Sequence, residues 1–320
     1  MTVTSSADFI QALMDARLTA SLKEAVLFEG GGAWCRFGIL DPCILSTPDG
    51  QPLLDRNTGE LRIYFNGRSQ DISAGGTTCV GTAHGLPGGE LTAMPRPLFA
   101  DGLYAAAGSV LRLTPDHFRM YYSADTQKGF RLASSNNGFD WQRSFDQEIR
   151  AAAQFSVSRM GLPFVTLMDN RWIMVFEGIR KGRFAIFMAS SADGLHWRPE
   201  YDGNPIYASK KDSWDGNGQA NPALYRLPFG SDFKFVIAYN GCAQKSDWDI
   251  GWLVSHSLEG PWIPNEAPFL RRRQERAWSA GRLEGARLAM LPDQPWLIYL
   301  FGLPGENSYS GGRIASTPLE

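Results

Sequence analysis

Residues that hold metals or cross-link chains are scarce here. The four cysteines, Cys35, Cys43, Cys79 and Cys242, are scattered over 320 residues, and no two stand in the C-x-x-C spacing of a zinc or redox site. They read as small buried apolar groups. The histidines, His84, His117, His196 and His256, form no metal-ligand spacing and fall on hairpins or turns, so no metal site is indicated and none of them is expected to be catalytic. No run reaches the ~18 apolar residues of a membrane span. Met1 to Ala20 lacks the basic start and unbroken apolar core of a secretory signal, so a soluble cytoplasmic protein is expected. A strong charge of one sign is also missing: the net charge is -2, which gives no general attraction to nucleic acid or to anionic membranes.

Turn formers and aromatics are plentiful, with 34 glycines, 19 prolines and 10 tryptophans. The stretch Leu162 to Trp197 shows how they are used. Asp169 and Asn170 separate an apolar run ending at Met168 from the run Trp172 to Glu177, and a third run follows from Phe184 to Ser190. Such short runs between turn residues read as strands. Ser191-Ala-Asp-Gly-Leu-His-Trp197 then closes the unit with a tight Asp-Gly turn. Four strands in an up-and-down meander make one propeller blade.

The unit recurs, and a repeat of this length decides the architecture. First strands are expected from Asp41, Gly108, Leu162, Asn221 and Gly285. Second strands are Arg62-Ile-Tyr-Phe-Asn-Gly67, Arg119-Met-Tyr-Tyr-Ser-Ala124, Ile173-Met-Val-Phe-Glu-Gly178, Val236-Ile-Ala-Tyr-Asn-Gly241 and Leu297-Ile-Tyr-Leu-Phe-Gly302. The closing box repeats at Ser135 to Trp141 and, more loosely, at Ser257 to Trp262. The expected fold is therefore all-β: a five-bladed β-propeller of four-stranded antiparallel blades, one domain over residues 1–320. Residues 1–24 form a helical extension in which Phe9, Ile10, Leu13, Met14 and Leu18 share a face and Ser6 or Asp8 caps the start. Blade five runs out of chain after Thr317, so Ala25 to Phe28 are expected to supply its outer strand and close the ring.

In a propeller the first strands line the central channel, so polar groups at their starts gather at one mouth. Asp41 before Pro42, Ser109, Asn221 before Pro222 and Glu284 stand there, with Arg159 just upstream of blade three's strand. Glu177 ends blade three's second strand. Arg36, Arg159, Arg282 and Arg287 all lie near first-strand starts, and guanidinium forks suit a carboxylate or phosphate, so they either bind an anionic ligand or pair with local acids. Trp34, Trp214 and Trp278 precede inner strands and either stack on a ligand or pack the rim. Asp215, in Trp214-Asp-Gly216, is a ligand contact or a turn residue bonding its own backbone.

Five blades, Asp-Pro at the first inner strand, second strands ending in aromatic-Asn-Gly or aromatic-Glu-Gly, and S-x-D-G-x-x-W turns together resemble the furanosidase-type five-bladed propellers. These comprise the arabinanases and xylosidases of glycoside hydrolase family 43, their invertase and levansucrase relatives, and the mannoside phosphorylases. The resemblance covers about residues 35 to 317. It implies that Asp41 is general base or nucleophile, that an Asp on blade two's inner strand tunes the acid, and that a Glu in an E-G/A-P motif of blade three is the general acid. The chain departs from this pattern at both later places, with Gly108 and Ser109 in blade two and Arg159-Met-Gly-Leu-Pro163 in blade three. The histidine often found near blade five's axis is missing too. Glu284, in a Glu-Gly-Ala of blade five, or Glu177 stands in for the acid.

Cleaving a glycosidic bond needs one carboxylic acid and one carboxylate, roughly 6.5–9.5 Å apart for inversion and about 5–5.5 Å for retention. Asp41 with Glu284 or Glu177 answers that demand and points to a glycosidase-like enzyme acting on a sugar. Two other readings keep the funnel: a transferase, lyase or cyclase of specialised metabolism whose arginines hold an anionic substrate, and a ligand-binding propeller without catalysis. No cofactor is expected, and a calcium or sodium ion in the axial channel is left open without being indicated.

Overall fold

Short apolar runs divided by turn residues do form antiparallel meanders, and five of these sheets follow one another along the chain. The computed structural model describes residues 4–14, 32–71, 74–124, 129–149, 153–229, 232–244, 247–272, 277–292, 294, 296–305 and 311–319. After helix α1 (Ser6–Met14), blade one comprises β1 (Gly38–Ile44), β2 (Leu61–Arg68), β3 (Thr78–Gly85) and β4 (Thr92–Ala93). Blade two is β5 (Ala105–Thr114), β6 (His117–Ala124), β7 (Phe130–Ser135) and β8 (Gln142–Ile149), and blade three is β9 (Arg159–Met168), β10 (Arg171–Arg180), β11 (Arg183–Ser191) and β12 (Arg198–Pro199). Blade four is β13 (Gly218–Phe229), β14 (Asp232–Cys242), β15 (Trp248–Ser255) and β16 (Ile263–Pro264). Blade five holds β17 (Arg282–Ala289), β18 (Leu297–Leu303) and β19 (Arg313–Pro318). Its expected outer strand, Ala25 to Phe28, lies outside the described residues.

Every inner strand breaks register near its start. The breaks fall between Leu40 and Cys43, between Ala107 and Ser109, between Gly161 and Phe164, between Ala220 and Ala223, and between Glu284 and Arg287. Bulges of this kind re-aim a side chain and bend the strand. Asp41, Leu162 and Asn221 sit in them at φ of 49°, 47° and 49°, and Gly285 at 68°. The left-handed conformation is tolerated by Asp, Asn and Gly and costs a Leu about 1–2 kcal/mol.

The same bulges fasten each blade to the one before. In the first four blades the residue preceding the terminal Gly or Ala of the second-strand motif accepts an N–H at the bulge of the next inner strand. Asn66 Oδ1 takes Ala107 N at 2.8 Å, Ser123 Oγ takes Leu162 N at 2.9 Å, Glu177 Oε2 takes Asn221 N at 2.9 Å and Asn240 Oδ1 takes Gly285 N at 2.9 Å. Farther out, Tyr64 and Tyr121 hydroxyls donate to the carbonyls of Gly138 and Gly194, inside the closing boxes of the following blades, at 2.8 and 2.9 Å. The ring closes where Ile39 N donates to Gly312 O at 3.0 Å and Gly311 N to Phe37 O at 2.7 Å.

Helix α1 packs on the outside of blades four and five. Phe9 and Ile10 are fully buried, with Phe9 edge-on to Trp252 at 5.3 Å and tilted on Trp296 at 5.7 Å. Its cap is Ser5 rather than Ser6 or Asp8: Ser5 Oγ accepts Asp8 N at 3.2 Å and donates to the Asp8 carboxylate at 2.7 Å. The Asp8 carboxylate thus answers the cap instead of being it. No helix among the described residues is long and apolar enough to cross a membrane.

Candidate active site

Three blades contribute a buried carboxylate around these bulges: Asp41 within that of β1, Glu284 beside that of β17, and Glu177 on β10 opposite the start of β9. Asp41, Glu177 and Glu284 are 8, 8 and 7 % exposed. Asn66 Nδ2 donates to Asp41 Oδ2 at 3.1 Å. Asn221 ties the other two together, its N–H on Glu177 Oε2 and its Nδ2 on Glu284 Oε2 at 3.2 Å. Arg282 lies 3.5 Å from Glu284 Oε1.

Burial is the main influence on all three, and it pushes each carboxyl above its ordinary range. For Asp41 the Asn66 hydrogen bond and the charges of Arg287 and Arg68 pull the other way. For Glu177 the Asn221 N–H, Arg159 and Arg287 oppose burial, while Asp41 adds to it. Glu284 is pushed up to about 7, because the charges of Asp41 and Glu177 reinforce burial against Arg282. Three carboxylates from 41, 177 and 284 therefore share one electrostatic environment.

Arg287, only 3 % exposed, is a buried cation whose charge reaches Asp41 and Glu177. Its Nη1 donates to the carbonyls of Ala286 at 3.0 Å and Asn221 at 3.4 Å, and its guanidinium lies 5.7 Å from the Phe164 ring centre. Beside it the axial space is a cavity of about 20 Å³ lined by Cys43, Ser109, Val110, Phe164, Tyr225 and Arg287. That is room for about one water and not for a sugar ring. Among the described residues no three or more His, Cys, Asp or Glu side chains are grouped so as to hold a metal ion. A wider concavity of about 680 Å³ lies elsewhere, over Leu54, Arg62, His84, Phe118 and Phe139. Its acids, Asp55 and Glu60, are not buried.

The other expected site residues divide into two groups. Arg159, Arg282, Arg287 and Asn221 join the carboxylates, as described. Ser109 is buried and accepts Val165 N at 2.8 Å, so it pins blade two to blade three at the channel floor. Arg36 is exposed and donates through Nε to Ser69 O at 3.2 Å. Asp215 is an anchor: Oδ1 accepts Ser213 at 2.6 Å, Oδ2 accepts Tyr239 at 2.9 Å, and Tyr207 bonds to the same carboxylate. Trp34, Trp214 and Trp278 lie flat over the glycines that end second strands. A side chain on Gly67, Gly241 or Gly302 would come within 2.3, 2.3 or 2.4 Å of these indoles. Trp34 Nε1 donates to Pro95 O and Trp214 Nε1 to Asn265 O, which holds both indoles in place against these glycines.

Sequence reasoning missed Asn66, Arg68 and Tyr104. Asn66 and Arg68 flank Gly67 at the end of the first blade's second strand, and that strand's end pairs with the start of β1. Tyr104 directly precedes β5 and is acted on by Asp41, Glu177, Arg68 and Arg159; burial, the leading influence, pushes its hydroxyl up.

No protein-family model and no curated protein matches the sequence. Solved structures do match its fold. A structure from glycoside hydrolase family 130, the mannoside phosphorylases, concerns hydrolases that target β-1,2 mannosidic linkages in Candida mannan. It superposes with a TM-score of 0.64 at 15 % identity, covering 92 % of this chain and 90 % of that one. A thermostable family-43 glycoside hydrolase gives 0.59 at 15 % identity, with 88 and 89 % covered. Levansucrase of Bacillus subtilis, in complex with oligosaccharides, gives 0.65 at 10 % identity, with 100 and 95 % covered. The five-bladed ring is thus shared with carbohydrate-active enzymes.

Proposed function

We propose that the funnel cleaves a glycosidic bond by carboxylate catalysis, with Asp41 as general base or nucleophile and Glu284 as general acid. The observation that carries this reading is the convergence of three buried carboxylates, one of which is pushed up to about 7. A general acid must still hold its proton at the working pH, and a buried carboxyl beside two like charges does so. Asp41 is the better anion, since Asn66 donates to it and Arg287 and Arg68 favour its charge. Glu177, held by the Asn221 N–H, contributes the charge that keeps Glu284 protonated. The fold shared with glycoside-processing enzymes supports the same chemistry.

A panel of aryl glycosides tests this. Asp41→Asn and Glu284→Gln each should lower kcat by about 10²–10⁴-fold on whichever glycoside is turned over, the range expected for removing an acid or base. Turnover that survives both substitutions would remove the proposal. The anomer first released, followed by NMR, then distinguishes base from nucleophile.

A further inference from the structure

One residue joins the acids of two blades. Asn221 sits in the bulge of β13 at a φ of 49° and is 4 % exposed. Its main-chain N–H donates to Glu177 Oε2 at 2.9 Å, its Nδ2 donates to Glu284 Oε2 at 3.2 Å, and its carbonyl accepts Arg287 Nη1 at 3.4 Å. The backbone serves Glu177 and the amide serves Glu284, so substitution can separate the two tasks.

The two oxygens of Glu284 are not equivalent. Oε2 faces the amide nitrogen of Asn221, which can only donate, so Oε2 is held as an acceptor. Oε1 faces Arg282 at 3.5 Å, longer than the roughly 2.7–2.9 Å of a tight charge-assisted bond. A proton on Oε1 therefore displaces only a loose contact, whereas a proton on Oε2 would set two donors against each other. Once the proton has left, the amide N–H on Oε2 stabilises the carboxylate that remains.

We propose that Asn221 is the positioning residue of the general acid: its amide confines the Glu284 proton to Oε1 and eases its departure to a leaving oxygen. This deepens the glycosidase reading and rests on it for the reaction, while the proton itself can be followed without turnover. The other groups that face Glu284 are Arg282 on its own strand, Asp41 of β1, Glu177 of β10 and Cys242 of β14, whose thiol, pushed up to about 12, stays neutral near pH 7. Shortening residue 221 alters none of these charges. Asn221 Oδ1 is buried without a hydrogen-bond partner among the described residues. With the amide turned over, Oδ1 would accept a proton on Oε2 and favour the neutral acid, so the two orientations lead to shifts of opposite sign.

Carbon NMR of the full chain, isotopically labelled at the glutamate carboxyls, provides the test, with the Glu284 signal assigned by its loss in Glu284→Gln. Asn221→Gly suits the left-handed φ and keeps the N–H on Glu177 while removing the amide. It should move the Glu284 midpoint up by about 0.5 in pH or more, the worth of one hydrogen bond to the charged form. Asn221→Asp, which the same φ tolerates, brings a like charge and should move it up by about 1 or more. In the wild type the Asn221 side-chain amide resonances should follow the Glu284 midpoint, a readout that needs no variant. A midpoint that stays or falls in Asn221→Gly overturns the proposal. On aryl glycosides, Asn221→Gly should slow those with poor leaving groups about tenfold or more and spare dinitrophenyl glycosides, whose leaving group departs without a proton. Equal slowing of both classes would reduce Asn221 to a structural role and overturn its part in catalysis. A raised midpoint with no turnover of any glycoside keeps the proton assignment and removes the glycosidase reading, so the two fail separately.

Discussion

A methyl group on Gly161 would stand 2.6 Å from Glu177 Oε1 and 3.3 Å from its Cδ, so the Glu177 carboxyl occupies the space a side chain at 161 would fill. The two residues face each other across β9 and β10. Gly161→Ala should therefore displace the carboxylate and lower kcat by about 10²-fold, the effect of a misplacement near 1 Å. Thermal melts should show the variant still folded. The second residue-scale prediction concerns acidity. Glu284 is raised from its ordinary 4.5 to about 7, so the folded chain binds this proton more tightly than the unfolded one. Stability from this group is full below 4.5 and is lost as the pH rises through 7, a fall of about 3 kcal/mol. Arg282, Asp41 and Glu177 are the charges that face it. Wild type should melt lower at pH 8 than at pH 5, and Glu284→Gln should flatten that slope; activity should decline above about 7 where the acid is lost. Both acids were legible in the sequence because a carboxylate at a first-strand start or a second-strand end has few places to go except the funnel. Tyr104 was not, since it precedes an alanine run that gives no sign of which side it faces.

The second-strand glycines illustrate what elements conceal. Gly67, Gly241 and Gly302 mark strand ends in the sequence, but their cause lies far off in the chain, in the indoles of Trp34, Trp214 and Trp278 that cover them. Tryptophans ahead of inner strands read equally well as sugar platforms or as packing, and only the third dimension distinguishes the two. Strand positions were visible from the apolar runs, whereas the bulges were not, because an extra residue leaves no trace in a short run beyond Asp-Pro and Asn-Pro. Helix α1 was legible from the spacing of Phe9 and Ile10, although Ser6 or Asp8 was expected as its cap and Ser5 is the residue that caps it. Phe9 bridges Trp252 of blade four and Trp296 of blade five. Phe9→Ala should cost about 3 kcal/mol, as a buried ring lost from a packed cluster does. Denaturant melts check it, and an unchanged midpoint would mean the helix contributes nothing to the ring.

A closed ring concentrates its weakness where the ends of the chain meet. The first and last blades are joined by Ile39 N to Gly312 O, and a Cβ on Gly312 would lie 2.8 Å from that Ile39 carbonyl and 3.0 Å from Leu40 Cδ2. Gly312→Val should destabilise by about 1–3 kcal/mol through overpacking. Because Asp41 directly follows Leu40, it should also depress kcat, and retention of full activity would show that closure and catalysis are independent.

The inter-blade fasteners carry one consequence for how such a protein changes over time. Asn66, Ser123, Glu177 and Asn240 perform the same mechanical task at successive spokes, so the task tolerates amide, hydroxyl and carboxylate alike. A lineage can exchange one for another without rebuilding the wheel. At a spoke that points inward, such a swap relocates a reactive group at almost no architectural cost.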